Sequence, residues 1–151
     1  MVAMLIVLRF NTSMFDHCLY FNSVALARLV EREWTTVYAR FGLTPAQGFV
    51  LRVVLASPGS LSSQVADVLG IARPTATRLI DNLSEKELVE RRQGEADGRE
   101  WGVYPTRSGK ALDRPINEAS ADIAKALRRR IGPDLFESTV ANMHNVRKVL
   151  D

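Results

Sequence analysis

What most constrains this chain is the order of short segments in its middle. Ser62 to Leu69 is apolar at Val65, Ala66 and Leu69, and Gly70 follows as a residue suited to a left-handed helix end. Arg73-Pro74 then opens a second helical segment, apolar at Ala76, Leu79, Ile80 and Leu83. Two short helices joined by a few residues around a glycine are the pattern of a helix-turn-helix. Two β-prone runs come next, Leu88 to Arg92 and Trp101 to Tyr104. Between them lies Gln93-Gly94-Glu95-Ala96-Asp97-Gly98-Arg99, a stretch of turn formers with an Asp-Gly pair. A hairpin directly behind a helix-turn-helix is a wing, and the combined order is more specific than either half alone.

The flanks are helical. Thr44-Pro45 reads as an N-cap and first-turn proline for a helix through Phe49, Val50, Val53, Val54 and Leu55, and Ser57-Pro58-Gly59-Ser60 stops it. Before it, apolar residues recur from Phe15 through Leu19, Leu26, Leu29, Val37 and Phe41 at steps of three, four or their sums, with no Pro or Gly until Gly42. Such a helix is roughly 40 Å long, more than one small domain buries. A second stripe runs from near Thr106 through Leu112, Ile116, Ile123 and Leu127 to Ile131, and Pro115 is expected to kink it or delay its start. A third opens at Gly132-Pro133 and carries Phe136, Val140, Met143, Val146 and Leu150. Long helices at both ends predict a dimer with intertwined termini; a monomeric helical bundle is the alternative. The expected fold is mainly α with a small β-hairpin wing. It divides into a winged helix-turn-helix lobe over 42–105 and a helical dimerisation region over 1–41 and 106–151.

Bulk charge does not argue for nucleic acid. The net charge is +3, yet Pro58 to Pro105 holds six basic residues against eight acidic ones, leaving +5 for the rest of the chain. Placement must carry the argument. The single cysteine, Cys18, allows no internal disulfide and suits a reducing cytoplasm. Val2 to Leu8 is apolar but lacks a basic leader and is far shorter than the roughly 20 residues that span a bilayer, so no membrane partner is expected. Met14 precedes the helical pattern, and Met1 to Ser13 reads equally well as an extension from an upstream start codon.

In a helix-turn-helix the second helix enters the major groove, with its first turns toward the base edges. With the apolar residues inside, Arg73, Thr75, Thr77, Arg78 and Asn82 are left for the outer face. Arginine bonds guanine through two acceptors, and threonine meets a thymine methyl or a phosphate. On the wing, Arg99 follows the Asp-Gly turn and is placed to reach a minor groove, while Asp97 is expected to orient Arg99 or cap the turn. Arg91 and Arg92 lie on the strand leading in, and alternation lets only one of them face DNA.

These segments resemble the multiple-antibiotic-resistance (MarR) family. The likeness lies in Leu43-Thr44-Pro45-Ala46-Gln47, in Ser62 to Gly70, and in Arg73 to Leu83. Asp97-Gly98-Arg99 followed by Thr106-Arg107-Ser108-Gly109 resembles that family's Asp-x-Arg wing and Thr-x-x-Gly helix start. The resemblance covers about Cys18 to Leu150. It implies a two-fold dimer, a helix in each major groove, wings toward the minor groove, and a pseudo-palindromic double-stranded operator. The DNA-contacting set becomes Ser62, Arg73, Thr75, Thr77, Arg78, Asn82, Arg92 and Arg99, with Asp97 stabilising the wing. One departure is Glu87, where the family has glycine in a left-handed helix end, so the turn into the wing is expected to differ.

The resemblance also implies an effector, a small molecule or an oxidant, that alters DNA affinity. The family's pocket lies between dimerisation helices and lobe, which puts Tyr20, Arg28, Trp34 and Tyr38 among its lining. Cys18 lies near the position of the sensing cysteine in the family's organic-peroxide sensors, but about two residues further from the Leu-Thr-Pro segment. That is over half a helical turn, and a buried cysteine packed as a small hydrophobe is the other reading. No nucleotide-binding glycine loop, His-x-Glu or Gly-x-Ser-x-Gly motif is present, so the sequence points to no cofactor, no metal and no catalytic residue. The rival from another class is a winged-helix protein-interaction module, for which Arg73, Arg78 and Arg99 would be dispensable.

Overall fold

The computed structural model describes residues 12–93 and 101–150. A short 3-10 turn, Thr12–Phe15, leads to α1 (Leu19–Ala39), then α2 (Pro45–Ala56), α3 (Ser62–Leu69), α4 (Arg73–Glu85), β1 (Val89–Gln93), β2 (Trp101–Pro105), α5 (Arg107–Ala111), α6 (Asp113–Ile131) and α7 (Pro133–Leu150). This is a winged helix-turn-helix with long terminal helices. The chain divides into two compact units, one up to Glu33 and one from Trp34 onward. Among the described residues no helix is long and apolar enough to cross a membrane.

In the first unit the apolar stripe begins before the helix does. The expected helix from Phe15 starts only at Leu19, so α1 has 21 residues and is about 30 Å long. The cause is local. The Asn22 side-chain amide donates to the carbonyls of Asp16 at 3.0 Å and Cys18 at 2.9 Å, and the Cys18 N–H donates to the Phe15 carbonyl. These bonds hold the chain in a turn that competes with helix.

In the second unit, side chains satisfy otherwise orphaned backbone groups at the starts of α2, α3 and α5. Thr44 and Gln47 close a capping box at the start of α2, with the Gln47 N–H donating to Thr44 Oγ1 at 3.3 Å and the Thr44 N–H to Gln47 Oε1 at 3.1 Å. Gly70 ends α3 at φ +62°. Glu87 takes φ +57°, so the left-handed turn after α4 is kept without glycine. Its carbonyl accepts the Thr106 hydroxyl at 2.6 Å, and the Thr106 Oγ1 in turn caps α5 by accepting from the Gly109 N–H. Pro115 interrupts the second stripe, the one that runs from near Thr106 to Ile131. It has no N–H for the Ala111 carbonyl, so α5 ends at Ala111 and α6 restarts at Asp113.

β1 and β2 pair antiparallel, with Val89 opposite Pro105, Arg91 opposite Val103 and Arg92 opposite Gly102. The loop after α2 adds to this sheet through Ser60, whose carbonyl accepts from the Val103 N–H at 2.9 Å. Under the hairpin the core gathers Val50, Leu51, Val54, Val65, Ile80, Leu83, Val89, Val103 and Ile116, all buried. Tyr38 is fully buried in the same core, its hydroxyl 3.1 Å from Ser120 Oγ. Its ring leaves no room beside α2, since a Cβ on Gly48 would fall 2.9 Å from Tyr38 Cε2. By contrast α7 buries no residue in the single chain, and Leu135, Val140, Met143, Val146, Val149 and Leu150 are exposed along it.

Candidate nucleic-acid interface

α4 carries most of the residues expected from the sequence to meet DNA. Ala76, Leu79, Ile80 and Leu83 are its buried side. At about 100° per residue, Arg78 and Asp81 lie opposite that stripe and Thr77 lies on its flank. Arg73, Thr77 and Arg78 are exposed, and Asn82 is half-buried. Thr75 is half-buried because it lines a cavity of about 330 Å³ with Ala46, Phe49, Leu69, Ile71 and Leu79. Ser62 is the first residue of α3, half-buried, at a helix start where Gln64 Oε1 accepts the Leu61 N–H at 2.8 Å.

The wing strand separates its two arginines as strand alternation requires. Arg91 Nη2 reaches back to α4 and pairs with Asp81 Oδ1 at 2.9 Å. Arg92 sits on the other face, paired with Glu90 and placed over the Tyr104 ring at 5.1 Å from its centre. Asp97 and Arg99 lie outside the described residues. The carboxylate partners Asp81 and Glu90 and the ring of Tyr104 were not singled out from the sequence. Glu90 and Arg92 two apart on one strand was the available signal; the Asp81–Arg91 pair needed the packing of β1 on α4.

The residues expected as effector lining fall in both units. Trp34, Tyr38 and Phe49 form an aromatic cluster in the second unit, with Trp34 5.5 Å from Tyr38 and 5.3 Å from Phe49 between ring centres. In the first unit Tyr20 is exposed, and Arg28 lines a shallow recess with Phe21, Ala25 and Leu29. Cys18 is exposed there, and its Sγ accepts the Phe21 N–H at 3.5 Å in the manner of a helix N-cap. A further cavity of about 450 Å³ lies among α2, α3 and α6, floored by Phe49, Val53 and Leu69. At its edge Arg52 Nε donates to Asn117 Oδ1 at 2.9 Å, and Asn117 Nδ2 donates to Asp113 Oδ1 at 2.8 Å.

Residues 41–100, a range that holds α2, α3, α4 and β1, match the family model described as the MarR family. Over this stretch the chain is similar to the MarR family. It is also 33% identical over 76 residues to the HTH-type transcriptional regulator PetP of Rhodobacter capsulatus, spanning 50% of this chain and 46% of that protein. The chain thus aligns with about half the length of that curated relative. Two solved structures share this chain's fold. The Staphylococcus aureus MepR–DNA complex superimposes with a TM-score of 0.77 at 21% identity, covering 87% of this chain and 96% of that one. The transcriptional repressor CouR bound to p-coumaroyl-CoA superimposes with a TM-score of 0.82 at 22% identity, covering 91% and 97%.

Proposed function

We propose that this chain is a sequence-specific DNA-binding transcription regulator, a repressor working as a homodimer in the cytoplasm, and not an enzyme. The observation that carries the reading is the outward face of α4. Arg73, Thr77 and Arg78 stand exposed on a helix whose opposite side is buried, next to a hairpin that carries Arg91 and Arg92. Its mechanism involves no bond chemistry. The helix presents guanidinium and hydroxyl groups to base edges, and the wing adds cations for phosphate. Arg99, which follows the Asp-Gly pair in sequence, is proposed for the minor groove.

An effector, a small molecule or an oxidant, is proposed to tune this binding. The cavity beside Phe49 and Arg52 supports the first, since it borders both α3 of the reading lobe and the start of α6. A ligand that binds better to one lobe placement lowers DNA occupancy by that difference in affinity. The exposed Cys18 supports the second. MepR was solved on DNA and CouR with p-coumaroyl-CoA.

Fluorescence anisotropy on DNA from upstream of the protein's own gene tests the reading. Wild type should bind tightly and more weakly as salt rises, and Arg78→Ala should cost about 1–3 kcal/mol on the specific site. Equal, weak binding of both proteins to this and unrelated DNA would leave the interaction module as the better account. Loss of binding on addition of an organic peroxide, absent in Cys18→Ser, would assign the oxidant role to Cys18.

A further inference from the structure

One face of the hairpin holds a closed cluster of Glu90, Arg92 and Tyr104. Glu90 lies opposite Tyr104 in the antiparallel register and Arg92 lies opposite Gly102. The Arg92 guanidinium donates twice to the same Glu90 oxygen, from Nε at 3.1 Å and from Nη2. Its carbon stands 5.1 Å from the centre of the Tyr104 ring. That ring lies against two bare glycines: a Cβ on Gly59 would come 2.8 Å from the Tyr104 hydroxyl oxygen, and one on Gly102 would come 3.0 Å from Cε2. Arg92 is therefore held from two directions while 59% of its side chain stays accessible.

We propose that Glu90 is an internal competitor for DNA phosphate, which holds Arg92 against Tyr104 in the free protein and gives it up when DNA arrives. This rests on the DNA-binding reading above. A phosphate neutralised by an arginine releases condensed counterions, so log affinity falls with log salt by about 0.9 per phosphate. An arginine that carries its own carboxylate neutralises less, which weakens binding and flattens that slope. The segment 58–105 has a surplus of acids over bases, so how its acids are held bears directly on its affinity. An exposed pair of this type is worth about 0–1 kcal/mol. It orients the guanidinium and is still displaced at little cost. Tyr104 acts as a positioning residue, its ring meeting the guanidinium by a cation–π contact.

The test is an anisotropy titration across a salt series, on upstream DNA and on a mixed-sequence duplex of similar length, with wild type, Glu90→Gln, Arg92→Ala and the double variant. Glu90→Gln should bind about two- to fivefold tighter at low salt on both DNAs. Its salt slope should steepen by up to about one, and both changes should vanish without Arg92. A gain that persists in the Arg92→Ala background is a general charge effect and overturns the proposal, as does equal or weaker binding by Glu90→Gln. Independently, Tyr104→Leu should weaken binding and Tyr104→Phe should retain it; equal loss in both overturns the positioning role. Wild type that binds no DNA is a distinct result, the failure of the regulator reading itself.

Discussion

Glu87 occupies a backbone region that favours glycine, at φ +57°, and is exposed. Its left-handed turn is over-determined from outside. The Leu88 N–H bonds the Leu83 carbonyl at 3.0 Å, and the Glu87 carbonyl takes the Thr106 hydroxyl. Replacing Glu87 by glycine removes the Cβ strain and should stabilise the fold by about 0.5–1 kcal/mol, read as a higher urea midpoint at unchanged slope. Gly48 is the opposite case, because an added methyl would meet the Tyr38 ring at 2.9 Å in a packed core. Gly48→Ala is expected to cost about 1–3 kcal/mol by the same measurement. The departure at Glu87 was visible in the sequence. That it would still adopt the glycine conformation was not, because the bonds that hold it come from residues up to Thr106.

At the scale of elements, capping chemistry made the starts of α2 and α5 readable. Thr44-Pro45-Ala46-Gln47 carries its own N-terminal box, so Thr44→Ala should lower stability by about 1 kcal/mol in the same denaturation assay. Pro115 announced the break between α5 and α6 through its missing N–H. The start of α1 was misplaced because periodicity registers apolar spacing and is blind to a side chain such as Asn22 turning back on the backbone. The two wing arginines were separable by alternation, whereas their partners were not. Asp81 and Arg91 are ten positions apart, and only the packing of β1 beside α4 brings them to 2.9 Å.

For the whole molecule, the largest unspent feature is α7, eighteen residues with none buried in the single chain. Its exposed Val140, Met143 and Val146 are the residues expected to be covered by a second copy. A Val146→Glu substitution should shift the sedimentation profile toward monomer and weaken DNA binding together, since two half-sites are then read one at a time. Monomeric wild type that still binds a pseudo-palindrome tightly would contradict the dimer reading.

Local chemistry determined the order of helices, turns and hairpin in this protein, along with the buried stripe of α4, the capped helix starts and the family resemblance. Each of these depends on neighbours a few positions apart, where spacing maps directly onto one face of a helix or strand. The tertiary structure decided which charged groups neutralise one another, that Tyr38 joins the core through Ser120, and that Thr75 turns toward a cavity. Those outcomes depend on distances between segments remote in sequence, which packing sets and periodicity does not encode.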